Sequence, residues 1–229
     1  WLLSHFVERV DATDQGHISP AGPVLIAANH PGAYDSFALV ASLPRPDVKV
    51  LSSEVAVFRY LPHVAAHLIQ TDRDPYKRLA AVRAGIRHLQ AGGCLVTFAS
   101  GFLDPDPLAY EEAPEEARAA LADWSPSLEL ILRKAPETQL VPAIIGGVVA
   151  SQWARHPLVR YRRRPHERRK LAEFLQAIYQ LVFPGRLKLI PRVVFGTSVP
   201  ARELLAGEPE CMASIHAHAE ATLNRFLTG

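Results

Sequence analysis

The chain has 229 residues, 48% of them hydrophobic, and 25 Lys+Arg against 23 Asp+Glu for a formal net charge of +2. That length and apolar content suit one sizeable core in one domain spanning 1–229, and so small a net charge does not by itself point to a nucleic-acid or anionic-surface binder. The longest apolar stretches are of strand length, well short of the roughly 20 residues a membrane-spanning helix needs, so no span is expected. The sequence starts at Trp1 rather than Met, which leaves room for an upstream targeting or anchoring segment.

In chain order, residues 24–28 form a short apolar run entered from Gly22-Pro23 and left at Asn29-His30-Pro31-Gly32, which predicts a buried strand and a turn. Residues 34–43 are apolar at helical density and stop before Pro44, and residues 48–51 are the next strand candidate. Asp74 as cap and Pro75 at the first helical position open a helix whose stripe is Leu79, Val82, Ile86 and Leu89 and whose end is Gly92-Gly93. Residues 94–98 predict a second buried strand, and 100–107 a loop crowded with Gly, Asp and Pro. A helix opened by Ser125-Pro126 runs through Lys134, and residues 140–145 make a strand ending in Gly146-Gly147. Residues 166–183 read as an amphipathic helix, 187–195 as one or two strands broken at Pro191, and 208–227 as a closing helix.

This alternation predicts an α/β fold, a mainly parallel or mixed sheet with helices on both faces, where sites gather at the carboxyl ends of strands. His30 and Ser100 occupy two such ends. Charge is segregated: residues 155–170 carry eight Lys/Arg and one acid, Glu167, while 104–116 carry six acids and no base. The two cysteines, Cys94 and Cys211, are far apart with no metal-ligand spacing, which makes a reduced, intracellular protein the default.

His30 and Asp35 are separated by four residues, with Pro31 and Gly32 between them to make the turn. From the first helical turn a carboxylate can fold back on the imidazole, fix its tautomer and leave the other nitrogen to take a proton from a hydroxyl. The same spacing also fits a turn-capping histidine beside an ordinary first-turn acid.

The segment Asn29-His30-Pro31-Gly32-Ala33-Tyr34-Asp35 resembles the first motif of the glycerolipid acyltransferase superfamily, which includes the bacterial acylglycerol-phosphate acyltransferases. The resemblance continues in order over about residues 22–200. Leu61-Pro62 is similar to the family's Pro-containing segment, Thr71-Asp72-Arg73 to its second motif, residues 93–101 to the strand entering its third, and Leu140-Val141-Pro142-Ala143-Ile144 to its fourth.

The resemblance implies that His30 deprotonates an acceptor hydroxyl, assisted by Asp35, and that the hydroxyl attacks the thioester of acyl-CoA or acyl carrier protein directly. It implies no acyl-enzyme, no permanently bound cofactor and no metal. Asn29, Asp72, Arg73, Ser100, Gly101 and Phe102 are the expected substrate-binding residues. The third motif departs from the family's Phe-Pro-Glu-Gly followed by Thr-Arg, reading Phe98-Ala99-Ser100-Gly101-Phe102-Leu103, and the segment where the family often carries a lysine reads Leu51-Ser52-Ser53-Glu54. Loss of both cations argues against glycerol-3-phosphate or lysophosphatidate as acceptor and leaves Arg73 as the positioned cation, unless it pairs with Asp72 or Asp74 at the surface.

Ser100 also raises a hydrolase, although Phe98 and Phe102 replace both glycines of a Gly-x-Ser-x-Gly elbow. A lipid-binding protein of this fold without turnover is the other rival. The basic cluster beside Trp153, Leu158 and Tyr161 suits a lipid acceptor at a peripheral membrane surface better than nucleic acid, or is simply a solvated face. The expected location is cytoplasmic and peripherally membrane-associated.

Overall fold

A computed structural model describes residues 3–32, 34–53, 60–72, 74–207 and 210–229. The chain opens with α1 (Leu3–Phe6) and β1 (Asp11–Thr13), then reaches β2 (Val24–Ala28), α2 (Asp35–Ala41), β3 (Val48–Ser53), α3 (Pro62–Ala65) and β4 (Leu68–Thr71). Next come α4 (Pro75–Gln90), β5 (Cys94–Phe98), α5 (Ala113–Ala120), α6 (Ser127–Lys134) and β6 (Gln139–Gly146). After α7 (Ser151–Ala154), α8 (Pro157–Arg160) and α9 (Pro165–Val182), the chain forms β7 (Arg192–Phe195), β8 (Val199–Pro200), α10 (Ala201–Ala206) and α11 (Cys211–Thr228).

The strands form one sheet in the order β1-β7-β6-β2-β5-β3-β4, with β8 pairing to β6 off this path. From β6 through β2, β5 and β3 to β4 every neighbour is parallel, whereas β7 and β8 run antiparallel to β6 and β1 runs parallel to β7. The sheet is therefore mixed with a parallel body, the α/β architecture that the strand-helix alternation predicts.

β2 is central and wholly buried. Its Leu25 and Ala27 join a cluster with Leu89, Leu128, Leu132, Ile215 and Phe226 from α4, α6 and α11, and its Val24, Ile26 and Ala28 join a second with Leu39 of α2, Val148 and Phe195. With both faces covered, the strand reads as a continuous apolar run rather than an alternation. The helix cap predicted at Asp74 is formed, its carboxylate accepting from the amides of Tyr76 (2.8 Å) and Lys77 (3.1 Å).

Some elements differ from the sequence expectation. Of residues 187–195 only 192–195 form a strand, and Leu189 makes an isolated parallel bridge to Val7, because Pro191 has no N–H for a ladder. β1, β4 and β8 carry too few residues to show a period and exist through pairing with distant partners. The two segregated charge segments face each other, with Arg155 to Glu112 at 3.9 Å and Arg169 to Glu116 at 4.0 Å. Cys94 and Cys211 are free and buried, and burial pushes the Cys94 thiol up to about 12.

Candidate functional site

The registers align Ala28 of β2 with Phe98 of β5 and Ala143 of β6, so the loops leaving these three strands meet at one edge of the sheet. Asn29 joins two of them. Its buried amide donates to the Ile145 carbonyl at 2.9 Å and accepts from the Ile145 amide at 2.8 Å. Both polar ends of the side chain are thus engaged with β6, a fastening role where substrate contact was the expectation. Asn29→Ala would leave two buried backbone groups unpaired, and we expect it to destabilise the fold by about 2–4 kcal/mol, read from the shift of a denaturant midpoint.

His30 follows at the strand's end. Its Nδ1 lies 2.7 Å from Asp35 Oδ2, with the histidine side chain 30% exposed and the aspartate 0%. The Gly32 amide donates to the same Oδ2 at 3.0 Å, which fixes the carboxylate in line with the ring. A Cβ at Gly32 would lie 3.3 Å from the Val148 side chain, a tight contact. Phe98 packs on the other side, its ring centroid 4.4 Å from that of His30.

A carboxylate accepting from Nδ1–H leaves Nε2 as the proton acceptor. Burial lowers the His30 pKa, but the charge and hydrogen bond of Asp35, with smaller contributions from Asp104 and Glu173, outweigh it and raise the pKa above the ordinary 6.5.

Two carboxylates that sequence reasoning placed only in a loop hold this arrangement. Asp104 accepts from the His30 amide at 2.8 Å, and its own amide donates to the His30 carbonyl at 2.8 Å, so the histidine backbone is gripped from both sides. Burial raises the Asp104 pKa; the His30 amide, the Ser100 hydroxyl and the charges of His30 and Arg169 oppose it. Asp106 accepts from four amides, those of Leu108 (3.0 Å), Gly147 (2.8 Å), Val148 (2.7 Å) and Val149 (2.8 Å), and so fastens the loop after β6 to the loop after β5. The only signal of either role in the sequence is an acid next to proline in a loop at a strand's end.

The remaining expected site residues divide. Ser100 is buried beside this edge, and its hydroxyl donates to the Phe102 carbonyl (3.0 Å) and accepts from the Phe102 amide (3.2 Å). Gly101 takes φ +72, and Phe102 is exposed at the tip of the turn. Asp72 is elsewhere: it follows β4, which is separated from β2 by β3 and β5, roughly 14 Å away at one strand spacing per step, and it pairs with Lys77 at 2.7 Å. Arg73 lies outside the described residues. Arg169 of α9, from the basic segment 155–170, reaches the loop beside the site and donates to the Leu103 carbonyl at 2.7 Å.

No family model and no curated protein matches the chain. A solved structure does: the 1-acyl-sn-glycerophosphate (LPA) acyltransferase PlsC from Thermotoga maritima, with a TM-score of 0.54 and 13% identity over 96% of this chain and 73% of that one. This chain shares the fold of that structure. No helix among the described residues is long and apolar enough to cross a membrane.

Proposed function

We propose that the protein is an O-acyltransferase that moves a fatty acyl group from an acyl thioester, acyl-CoA or acyl carrier protein, to a hydroxyl of a lipid or polyol. The observation that carries this reading is the His30–Asp35 pair at 2.7 Å, its histidine partly exposed and its aspartate fully buried. Nε2 of His30 removes the proton as the acceptor oxygen bonds to the thioester carbon. The carbon–sulfur bond then breaks, and the departing thiolate takes the proton from the imidazolium, so no acyl-enzyme forms.

Asp35 stabilises the transient imidazolium. Arg169 brings positive charge to the loop beside His30 and suits an anionic donor or acceptor. A hydrolytic role for Ser100 has less support, because its hydroxyl is engaged with the backbone of Phe102.

The test is release of free thiol from a panel of acyl-CoA donors with membrane lipid extract as acceptor, for the native chain and His30→Ala in parallel. Release that requires both the extract and His30 is the expected result. Thiol release that persists in a folded His30→Ala chain would remove the histidine from the chemistry.

A further inference from the structure

α9 is built inside out. Its buried positions are Ala172, Gln176 and Gln180, the two glutamines 0% and 2% exposed, while Phe174, Ile178, Leu181 and Val182 are 59%, 41%, 65% and 61% exposed. Spacings of three and four residues put the exposed four in one stripe along a helix of 18 residues, about 27 Å long. An ordinary surface helix has the reverse pattern.

The inward face is polar because it fastens the loops of the site. Gln180 accepts from the Tyr34 hydroxyl (2.9 Å), Gln176 donates to the Val148 carbonyl (2.8 Å) and accepts from the Ala150 amide (2.7 Å), and Arg169 holds the Leu103 carbonyl. Those residues belong to the loops after β2, β6 and β5. Pairing buried backbone groups therefore uses the face that a soluble helix would make apolar, and the apolar stripe is left pointing away.

Charge says what the stripe faces. Exposed Arg160, Arg162, Arg163, Arg164 and Lys170 stand at one end of it, and exposed Arg186 and Lys188 just past the other. Leu158 and Tyr161 are exposed among the first group, whereas Trp153 packs inward against His156 and Tyr179, with ring centroids 5.5 and 5.4 Å away. An apolar stripe with cations at both ends complements an anionic lipid surface, with the side chains among the acyl chains and the cations at the headgroups.

We infer that α9 lies in the surface of an anionic bilayer and holds the His30 edge of the sheet against it. The proposal stands on this helix alone, independent of whether acyl transfer occurs.

Flotation of the full chain with vesicles of phosphatidylcholine containing about 30% phosphatidylglycerol tests it, beside vesicles of phosphatidylcholine alone. The native chain and His30→Ala should float equally, and more with the anionic vesicles. The combined change Phe174→Ser, Ile178→Ser, Leu181→Ser should lower partitioning roughly tenfold or more with the circular dichroism spectrum unchanged. Arg160→Gln, Arg162→Gln, Arg163→Gln should lower it on the anionic vesicles only. Failure of the native chain to float, or flotation indifferent to the serine changes, overturns the proposal. So does a lipid-free dimer that the serine changes dissociate while vesicles are ignored, for the stripe would then seat a second copy of the chain.

Discussion

Asp35→Asn should slow acyl transfer by roughly 10²–10³-fold while leaving the fold assembled. Two donors, the ring Nδ1–H and the Gly32 amide, converge on Oδ2, so the asparagine keeps its oxygen there and the imidazole keeps its tautomer. What disappears is the negative charge that stabilises the imidazolium. The change should therefore fall on kcat rather than KM. It should also move the pH profile. In the native protein Asp35 raises the His30 pKa against the lowering effect of burial, so activity climbs with pH through a value above 6.5 as the base loses its proton. With the charge gone, burial is left as the main cause, and the limb should shift to lower pH. Stability follows the same linkage: the contribution from the raised histidine pKa is complete below 6.5 and fades as pH rises through the folded value, a slope that Asp35→Asn should flatten. An unchanged pH limb in a folded Asp35→Asn chain would mean that His30 is not the titrating base.

The parts legible in the sequence are those with local causes. Gly22-Pro23 before an apolar run, Pro31-Gly32 after it, and Asp74-Pro75 before a helical stripe predict β2, the His30 turn and α4 from short-range chemistry alone. The His30–Asp35 contact belongs here too, since five residues of chain and a helix start bring the groups together. What could not be read depends on partners far along the chain. Asn29 meets Ile145 across 116 positions, and Asp106 meets Gly147 across 41. For α9 the apolar and polar positions are both visible as faces, but which one turns inward is decided by loops whose backbone groups need Gln176 and Gln180. A glutamine pair at i and i+4 within an amphipathic helix is the hint that was present.

Asp106→Ala should cost as much stability as truncating a large side chain of the apolar core. In Asp106→Ala the amides of Leu108, Gly147, Val148 and Val149 lose their acceptor at one buried site, and each unpaired donor costs about 1–3 kcal/mol. Solvent entry will offset part of this, leaving an expected loss of about 3–5 kcal/mol, a large fraction of a typical domain's stability. Asp106→Asn should be nearly as damaging, because its NH₂ group would face amide donors where an acceptor is required. Burial raises the Asp106 pKa above the ordinary carboxyl value against the opposing pull of the four amides, every one of which donates to it. The surroundings allow little rearrangement: a Cβ at Gly146 would fall 2.7 Å from Phe226 and 3.1 Å from Asp106 Oδ1, and Gly147 takes φ +74. Denaturant midpoints of the native, alanine and asparagine chains decide the matter. An asparagine chain within about 1 kcal/mol of the native one would show that fewer than four amides depend on this carboxylate.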